Sequence, residues 1–411
     1  MDKYTSNRAI ANKETSDILK IADLAKQDIA KGNQVINASI GVFLNDNKTL
    51  NIVNEVTSSL NKHICDDLSY PSLYGSLNFK IGVLKWLFKD LYPLVVKKYL
   101  IPFGATLGGT GACHISFSNY LDEGETILLP SIMWSNYLLI AEKSEIKTDT
   151  YSLFNEKNKF NILSLKQKIE EYASKQKRIL IVINDPCQNP TGYCLDDEEY
   201  QQLFSMLDDL GQRTSITVLF DIAYLCYDLE DNNPHRVFTN ILKDDHNFLP
   251  LFAFSASKAF GMYGLRVGAL FALCNDKEIY DNFMTSFSNM ARGVYSCPNG
   301  PALTSLSAVL NNEQSLSLIN ENIKVNSDIL FERGQIIKTL LDENGIKYLP
   351  YQKGFFITIY CENSQFIYDS LIKKHIYIVP LNKNYFRVAL SGLSKNEIYE
   401  FVKELKSIIN L

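Results

Sequence analysis

The sequence lacks the features that would tie it to a membrane, a secretory route or a nucleic acid. No apolar run in the 411 residues approaches the length that spans a bilayer, and residues 1–6 carry no apolar signal-peptide core. Lysine and arginine total 41 against 46 acidic residues, so the net charge is −5, and there is no basic tract. We therefore expect a cytoplasmic protein with neither a membrane nor a nucleic acid as partner.

Cysteine and histidine are present, but not in arrangements that bind metal. The eight cysteines form no CxxC pair, and the five histidines show no spacing typical of metal ligands. Scattered thiols fit a reducing compartment better than a disulfide framework. The sequence therefore predicts reduced cysteines and no metal site.

The middle of the chain alternates between apolar runs and helical patterns, as over 162–175 and 196–210. The apolar runs typical of buried strands are 126–130, 146–151, 178–184, 216–220, 249–254 and 267–274. This alternation predicts an α/β fold with a mostly parallel central sheet that is covered by helices on both faces.

The two ends of the chain have a different pattern. Helical spacing predicts a helix over 14–31, and a short strand is predicted over 35–43. Near the other end, a long helix over 313–344 precedes short strands, and a last helix covers 395–410. The C-terminal part therefore predicts an α+β unit that is separate from the central sheet.

The length also indicates two domains, because 411 residues exceed one core of typical size. We expect a large domain of residues 46–310. The smaller α+β domain is expected to combine residues 1–45 with residues 311–411.

One lysine stands at the end of a predicted strand among small residues. Lys258 follows the run 249–254 and the hydroxyls of Ser255 and Ser257, and Arg266 comes next after two glycines. Burial and a neighbouring cation both lower the pKa of a lysine, which leaves a neutral amine that can attack a carbonyl. The two serines and Arg266 would form an anion site beside it. This combination suggests pyridoxal phosphate held as a Schiff base, although Ser-x-Ser-Lys alone is common.

Further marked residues fall at strand ends or helix starts, where open parallel sheets bind ligands. The glycine loop 108–111 precedes a predicted helix, whose N-terminus attracts anions. Asn189 lies in a rigid Asn-Pro-Thr-Gly turn after one buried strand, and Asp221 ends the next. A carboxylate at Asp221 can keep a pyridine nitrogen protonated, and the indole of Trp134 can stack on a flat ring.

Each of these residues also has a structural interpretation. Glycine turns before helices are routine, and Asn189 can belong to an ordinary loop. Asp221 can cap a helix, and Trp134 can belong to the core. The order and spacing of the whole set are more specific than any one member.

That order resembles the class I aminotransferases, pyridoxal-phosphate enzymes of fold type I that include the aspartate and aromatic amino acid aminotransferases. The resemblance covers the chain from about residue 15 to its end. The matching motifs are Ser39-Ile-Gly41, Tyr70 with Gly75, Gly108-Gly-Thr-Gly-Ala112, Trp134, Asn189-Pro-Thr-Gly192, Asp221-x-x-Tyr224, Ser255-x-Ser-Lys258, Arg266, Arg292 and Arg387.

The resemblance implies a role for each matching residue. Lys258 is then the Schiff-base lysine, whose freed amine moves the proton of the substrate α-carbon. Asp221 pairs with the ring nitrogen of pyridoxal phosphate, Tyr224 and Asn189 bind its phenolic oxygen, and Trp134 stacks on the ring. The residues implied to hold the phosphate are Gly109, Thr110, Ser255, Ser257 and Arg266, with Tyr70 reaching in from a second subunit.

The resemblance also implies how substrates bind. Arg387 would grip the α-carboxylate with two parallel hydrogen bonds, helped by Gly41 and Asn189, and Phe356 would line the pocket. Arg292 stands where aspartate-type enzymes bind the distal carboxylate of aspartate and 2-oxoglutarate, although a salt bridge at a subunit interface is an alternative. The implied assembly is a homodimer with shared active sites.

Two departures from the aspartate aminotransferase pattern leave the amino donor open. Residues 260–265, Phe-Gly-Met-Tyr-Gly-Leu, lack the Asn-Glu pair that precedes the arginine in enzymes of the animal and enteric type. Tyr137 stands where those enzymes have a histidine behind the aspartate. A phenol can still donate a hydrogen bond to Asp221, but the electronic tuning would differ.

Three functions compete. The leading hypothesis is an aminotransferase of amino acid metabolism that passes the amino group of aspartate or an aromatic L-amino acid to 2-oxoglutarate in ping-pong half-reactions. The alternative is a β-lyase or decarboxylase, since the motifs fix the cofactor but not the bond that breaks; Arg292 argues against a cysteine-type lyase. The third is a non-enzymatic regulator, which the filled catalytic positions and the short stretch before the first helix disfavour.

Overall fold

The computed structural model describes residues 17–65, 68–228 and 235–409. Its helices are α1 (Asp17–Ala30), α2 (Asn54–His63), α3 (Leu77–Phe88), α4 (Tyr92–Lys98), α5 (Gly108–Tyr120), α6 (Asn136–Lys143), α7 (Ile162–Ala173), α8 (Asp197–Gly211), α9 (Arg236–Ile241), α10 (Ala256–Ala259), α11 (Lys277–Val294), α12 (Gly300–Leu310), α13 (Glu313–Glu343), α14 (Ser364–Ile372) and α15 (Lys395–Ile409). Its strands are β1 (Ile36–Asn37), β2 (Phe103–Leu107), β3 (Thr126–Pro130), β4 (Lys147–Tyr151), β5 (Arg178–Asn184), β6 (Ser215–Asp221), β7 (Leu249–Ser255), β8 (Val267–Ala272), β9 (Phe356–Tyr360), β10 (Ile376–Tyr377), β11 (Val379–Asn382) and β12 (Tyr385–Ala389). Residues 14–16 of the first predicted helix and residue 410 of the last lie outside the described ranges.

The central sheet has seven strands in the order β2-β8-β7-β6-β5-β3-β4. The strands from β7 to β4 run parallel, whereas β8 is antiparallel to both of its neighbours. The prediction of a mostly parallel α/β sheet is therefore confirmed. Asn184, Asp221 and Ala253 are register partners, so the ends of β5, β6 and β7 lie level at one edge.

Continuous apolar strands bury this sheet on both faces. Ile179, Ile181 and Ile183 of β5 pack into one hydrophobic cluster, while Leu180 and Val182 pack into another. Successive side chains of a strand point to opposite faces, so an unbroken apolar run needs a cover on each side. The helices between the strands supply both covers.

A separate hydrophobic cluster lies around the three-stranded antiparallel sheet β11-β12-β9. This cluster takes in one side of the long helix α13, the helices α14 and α15, and Ile36 from the N-terminal part of the chain. The strand β1 pairs with β10, which joins the N-terminal segment to this unit. Within the described ranges, no helix is long and apolar enough to cross a membrane.

The predicted strand over 35–43 is wrong for most of its length, because only Ile36–Asn37 pairs in a sheet. Beyond it, the carbonyl of Ser39 accepts a hydrogen bond from Arg387, and the carbonyl of Gly41 accepts one from Lys258. Backbone groups that bind side chains in this way are not free to form a ladder. The segment instead contacts Lys258, just after β7, and Arg387, on β12.

Candidate active site

A cavity of about 330 Å³ opens at the carboxyl ends of β5, β6 and β7. The polar groups at these strand ends converge there because neighbouring parallel strands end at the same edge. The predicted site residues that line the cavity are Gly41, Gly109, Thr110, Trp134, Asn189, Asp221, Tyr224, Ser255, Ser257, Lys258, Arg266, Phe356 and Arg387.

Lys258 lies on the one-turn helix α10, directly after β7. Its Nζ donates a hydrogen bond of 2.5 Å to the carbonyl of Gly41. Three aromatic rings surround the amine, with centroids 4.9 Å away for Tyr263, 5.3 Å for Phe355 and 5.5 Å for Tyr224. The amine is therefore held between the central sheet and the N-terminal segment.

The surroundings of Lys258 favour its neutral form. Burial, followed by the charges of Arg387 and Arg266, lowers the pKa of Lys258 to about 7, whereas the charge of Asp221 acts in the opposite direction. A lysine with such a pKa is available as a nucleophile and as a base near neutral pH.

Asp221 is the last residue of β6 and is buried. Its Oδ2 accepts a hydrogen bond of 2.6 Å from the Tyr137 hydroxyl, and its Oδ1 accepts one of 3.2 Å from the Ala223 N–H. Burial raises the pKa of Asp221, and the hydrogen bond from Tyr137 opposes that rise. The backbone carbonyl of Asp221 accepts a hydrogen bond from Asn184, which fixes the strand end.

A candidate anion site also lines the cavity. Arg266 donates to the Ser257 hydroxyl at 3.4 Å and to the carbonyl of Tyr263 at 2.9 Å. Gly108, at φ +70°, begins α5, and a Cβ there would lie 2.5 Å from Nη2 of Arg266. The glycine thus lets the guanidinium approach the N-terminus of α5, and the two together attract an anion.

Arg387 is a buried cation on β12. Its Nη2 donates to the carbonyl of Ser39 at 2.6 Å, its Nη1 donates to Oδ1 of Asn189 at 3.2 Å, and it lies 4.4 Å from the ring centroid of Phe356. Among the described residues, no group accepts from Nε and no carboxylate pairs with this guanidinium. Burial lowers the pKa of Arg387 to about 10, so the group is still charged at neutral pH.

Asn189 connects Arg387 to the strand ends. Its backbone N–H donates to Oδ1 of Asn184 at 2.8 Å, and its Nδ2 lies 3.5 Å from the Tyr224 hydroxyl. Burial raises the pKa of Tyr224, so this phenol is neutral. Asn189 and Tyr224 thus present neutral polar groups between Lys258 and Arg387.

Trp134 lies in the loop before α6, which begins at Asn136. The indole is half-buried at the cavity wall and meets the ring of Tyr137 edge to face, with centroids 5.3 Å apart. The ring therefore lies on the same side of the cavity as the hydrogen-bonded pair of Tyr137 and Asp221.

Two predicted site residues are absent from the described residues that line the cavity of one chain. Tyr70 is 90% exposed, and Arg292 is exposed on α11. Both side chains face away from the protein core. The structure of a single chain therefore does not bring them to Lys258.

Sequence reasoning missed the contribution of α1. Ile18, Leu19, Ala22, Asp23 and Lys26 line the mouth of the cavity. The helical spacing of this segment predicts a helix, but no local feature of the sequence indicates where an amphipathic helix packs.

Tyr263 was also missed as a site residue. Its hydroxyl accepts a hydrogen bond of 3.0 Å from the Phe43 N–H, and its ring contacts the Lys258 amine. Tyr263 thereby fixes the N-terminal segment above the lysine. The only signal was its position between two glycines in the stretch that departs from the aspartate aminotransferase pattern.

Residues 33–405 match the family described as aminotransferase class I and II. The aromatic-amino-acid aminotransferase of Escherichia coli is 25% identical over 352 residues, which cover 82% of this chain and 85% of that protein. Further relatives carry the names aspartate aminotransferase and tyrosine aminotransferase.

Solved structures show the same fold. An aminotransferase from Anaerococcus prevotii has a TM-score of 0.91 and 29% identity, over 99% of this chain and 100% of that one. The aromatic-amino-acid aminotransferase from Burkholderia pseudomallei, covalently bound to pyridoxal phosphate, has a TM-score of 0.81 and 19% identity, over 98% of this chain and 100% of that one.

Proposed function

Because the chain belongs to the aminotransferases of class I and II, we propose that it passes the amino group of aspartate or an aromatic L-amino acid to 2-oxoglutarate. Pyridoxal-phosphate-dependent transamination of amino acids follows from the family and from the relatives named above. The proposal adds the donor, the acceptor and the roles of individual residues.

The observation that carries the proposal is the position of Arg387 on the same cavity as Lys258. Arg387 is a buried cation whose Nε has no partner among the described residues. A buried guanidinium is stable when it is paired, and its planar fork matches a carboxylate. An amino acid held there by its α-carboxylate would present its α-carbon towards Lys258.

The cavity fits pyridoxal phosphate. Arg266, Ser257 and the N-terminus of α5 form a site for the phosphate, and the space that the missing Cβ of Gly108 leaves lets the arginine approach. Asp221, whose oxygens accept from Tyr137 and Ala223, would hold the ring nitrogen. The residues proposed to complete this site are Gly109, Thr110, Trp134, Asn189, Tyr224 and Ser255.

Pyridoxal phosphate, when bound, supplies a carbonyl carbon that accepts an amino group and a ring that withdraws electrons. The chain's own residues provide the rest. Lys258, whose pKa of about 7 makes the neutral amine available near neutral pH, removes the proton from the substrate α-carbon. Arg387 and Asn189 orient the substrate by its carboxylate, and Phe356 with α1 limits the access of water.

The proposed active assembly is a homodimer in which Tyr70 and Arg292 reach the cavity of the other subunit. The exposure of both side chains supports this, since one chain gives neither of them a role in its own cavity. Arg292 would then bind the distal carboxylate of aspartate or 2-oxoglutarate. The same assignment explains why the predicted motif set is incomplete in one chain.

The domain boundaries and the location are also part of the proposal. Residues 46–310 would form the large domain, and residues 1–45 with 311–411 the small one. The separate hydrophobic cluster around β11-β12-β9, which includes Ile36, supports this division. A cytoplasmic location is supported by the cysteines, since each of the eight, all within the described residues, is a free thiol.

A half-reaction tests the function directly. The purified holoenzyme is mixed with aspartate, tyrosine or phenylalanine and no oxo acid, and the cofactor absorbance and the oxo acid product are measured. We expect one equivalent of oxo acid per subunit and then no further turnover. Addition of 2-oxoglutarate should restore turnover and produce glutamate. The Lys258→Ala variant should release no oxo acid from the donor and should form no glutamate.

Two results would contradict the proposal. Steady release of pyruvate from a β-substituted alanine without any acceptor would indicate a lyase. Absence of oxo acid from all three donors, with the cofactor bound, would show that the donor is of another class.

A further inference from the structure

Two cysteines outside the cavity lie in contact with each other. The sulfur atoms of Cys187 and Cys194 are 3.9 Å apart, and the Cys187 N–H donates to the Cys194 sulfur at 3.2 Å. Both residues are buried free thiols. A disulfide needs the sulfur atoms at roughly 2 Å, so a shift of about 2 Å would join them.

Neither thiol has another role among the described residues. Both are absent from the residues that line the active-site cavity. The described part of the chain contains no group of three or more metal-binding side chains that could hold an ion, so the pair is not a metal site. The two cysteines do, however, flank the turn that carries Asn189.

We propose that Cys187 and Cys194 form a reversible disulfide when the protein meets hydrogen peroxide, and that this bond weakens substrate binding by displacing Asn189. The binding consequence rests on the proposed function, because it assumes that Asn189 and Arg387 hold the substrate carboxylate. Formation of the disulfide does not depend on that assumption.

Peroxide can approach Cys187 from a second, smaller cavity. This cavity, of about 150 Å³, is lined by Lys353 and Gly354 among others, and it is large enough for small solvent-sized molecules. A Cβ at Gly354 would lie 3.1 Å from the Cys187 sulfur. Gly354 therefore lies both in the wall of this cavity and against Cys187.

The electrostatics make this reaction slow. Burial raises the pKa of both thiols, although the positive charge of Lys353 opposes the rise at Cys187. Little thiolate is present at neutral pH, and the thiolate is the reactive form. The pair therefore suits a response to sustained peroxide rather than a rapid sensor.

The chemistry is balanced by peroxide alone. The Cys187 thiolate attacks one peroxide oxygen and breaks the O–O bond; the departing hydroxide takes up a proton and leaves as water. The Cys194 sulfur then attacks the resulting sulfenic acid, forms the S–S bond and expels a second water. Two thiols are oxidised to one disulfide, one peroxide is reduced to two waters, and a dithiol reductant reverses the change.

The turn between the cysteines would transmit the change to the active site. The backbone of Cys194 is held by Gln352, which accepts from its N–H at 3.0 Å and donates towards its carbonyl at 3.5 Å. The backbone N–H of Asn189 is also held, by Oδ1 of Asn184 at 2.8 Å. Because both ends of the turn are held, drawing the two sulfur atoms together would have to move the segment between them. Asn189 is two residues from Cys187, and its Oδ1 accepts the hydrogen bond of Arg387, so the movement would misalign this contact.

Mass spectrometry and kinetics on the intact holoenzyme test the proposal. The protein is treated with hydrogen peroxide, remaining thiols are alkylated under denaturing conditions, and peptides are analysed. We expect a disulfide between Cys187 and Cys194, seen as a peptide mass that is lower by two hydrogen atoms than the mass with two free thiols. The KM for aspartate or phenylalanine should rise roughly tenfold while kcat changes less, as expected for loss of one hydrogen bond to a charged group. Dithiothreitol should reverse both effects.

Matched variants separate this pair from general oxidation. Cys187→Ser and Cys194→Ser should each remove the link and the rise in KM, whereas Cys226→Ser, at an equally buried cysteine, should keep both. Recovery of Cys187 and Cys194 as alkylated thiols after peroxide treatment would overturn the proposal, even if a serine variant failed to fold. A link without any change in KM would overturn the role of Asn189. The peptide masses do not depend on which amino acid is turned over, so failure of the proposed function would be recognised separately.

Discussion

The Tyr137 hydroxyl donates a hydrogen bond of 2.6 Å to Oδ2 of Asp221 in the interior of the protein. Burial raises the pKa of Tyr137, so the phenol is a neutral donor across the whole working range of pH. A histidine in its place could itself become charged. The chain therefore supports its buried carboxylate with a partner that does not titrate near neutral pH.

Tyr137→Phe should weaken the cofactor site without changing the fold. The carboxylate of Asp221 would lose a donor in a buried place, which would raise the pKa of Asp221 further and leave less negative charge for the ring nitrogen that Asp221 is proposed to hold. We expect roughly a tenfold loss of pyridoxal phosphate affinity, as is typical when a supporting hydrogen bond at such a site is removed. Equilibrium dialysis measures the affinity of the variant for pyridoxal phosphate.

Tyr151→Phe is the matched control for that variant. Tyr151 is also a buried phenol, but it donates to the backbone carbonyl of Val182. Loss of the Tyr151 hydroxyl should change the free energy of unfolding more than it changes the affinity for pyridoxal phosphate. Equal cofactor affinities in Tyr137→Phe and wild type would show that Tyr137 does not support Asp221.

The reactivity of Lys258 should depend on pH with a midpoint near 7. Its pKa is lowered from 10.5 to about 7, first by burial and then by Arg387 and Arg266. Only the neutral amine reacts, so the rate at which the apoprotein binds pyridoxal phosphate covalently should fall about tenfold per pH unit below the midpoint. Stopped-flow absorbance gives this rate.

The same shift sets a direction for stability. Between about pH 7 and the ordinary lysine range, the unfolded chain holds a proton at Lys258 that the folded apoprotein does not. The contribution of Lys258 to the free energy of unfolding therefore rises with pH through that window.

Arg387→Gln removes a cation near Lys258, so it should move the pH midpoint of the reaction with pyridoxal phosphate upwards. An unchanged midpoint would show that the charge of Arg387 does not lower the pKa of Lys258.

Much of this site could be predicted because its determinants are local. The strands β5, β6 and β7 are continuous apolar runs, so their ends were predictable to within about one residue, and Lys258, Asp221 and Asn189 lie just beyond them. The alternation of strands and helices also predicts that these ends meet at one edge of the sheet.

The rest depends on contacts between distant parts of the chain. The antiparallel pairing of β2 with β8 joins residues far apart in sequence, and nothing in either strand specifies its partner. Arg333 is fully buried on α13, where its guanidinium donates to the carbonyls of Leu44, Leu390 and Ser391. A sequence pattern places an arginine at the surface by default, so such a group is found only in the structure.

Kinetics with two amino donors should distinguish the roles of Arg387 and Arg292. Arg387→Lys loses the planar fork that is proposed to bind the substrate α-carboxylate, so kcat/KM should fall about tenfold or more for every amino acid. Arg292→Gln should lower kcat/KM by a similar factor for aspartate and leave phenylalanine within about threefold, because only aspartate has a distal carboxylate. Steady-state kinetics with both donors decides this. Equal losses for both donors in Arg292→Gln would favour a structural ion pair.

Mixed dimers should reveal whether the subunits share active sites. Tyr70 is exposed in one chain, and in the proposed dimer it would lie beside the phosphate of the other subunit. Lys258→Ala removes the amine, and Tyr70→Asp would place a negative charge next to the phosphate, so each variant alone should be inactive.

When the two variants are dissociated together and reassembled, half of the dimers should be mixed. In a mixed dimer, one site contains both changes and the other contains neither, so about a quarter of the wild-type activity should return. A mixture that is as inactive as its parents, with mixed dimers shown by native mass spectrometry, would mean that Tyr70 serves the cavity of its own chain. Recovery of activity would instead show that Tyr70 of one subunit completes the active site that contains Lys258 of the other.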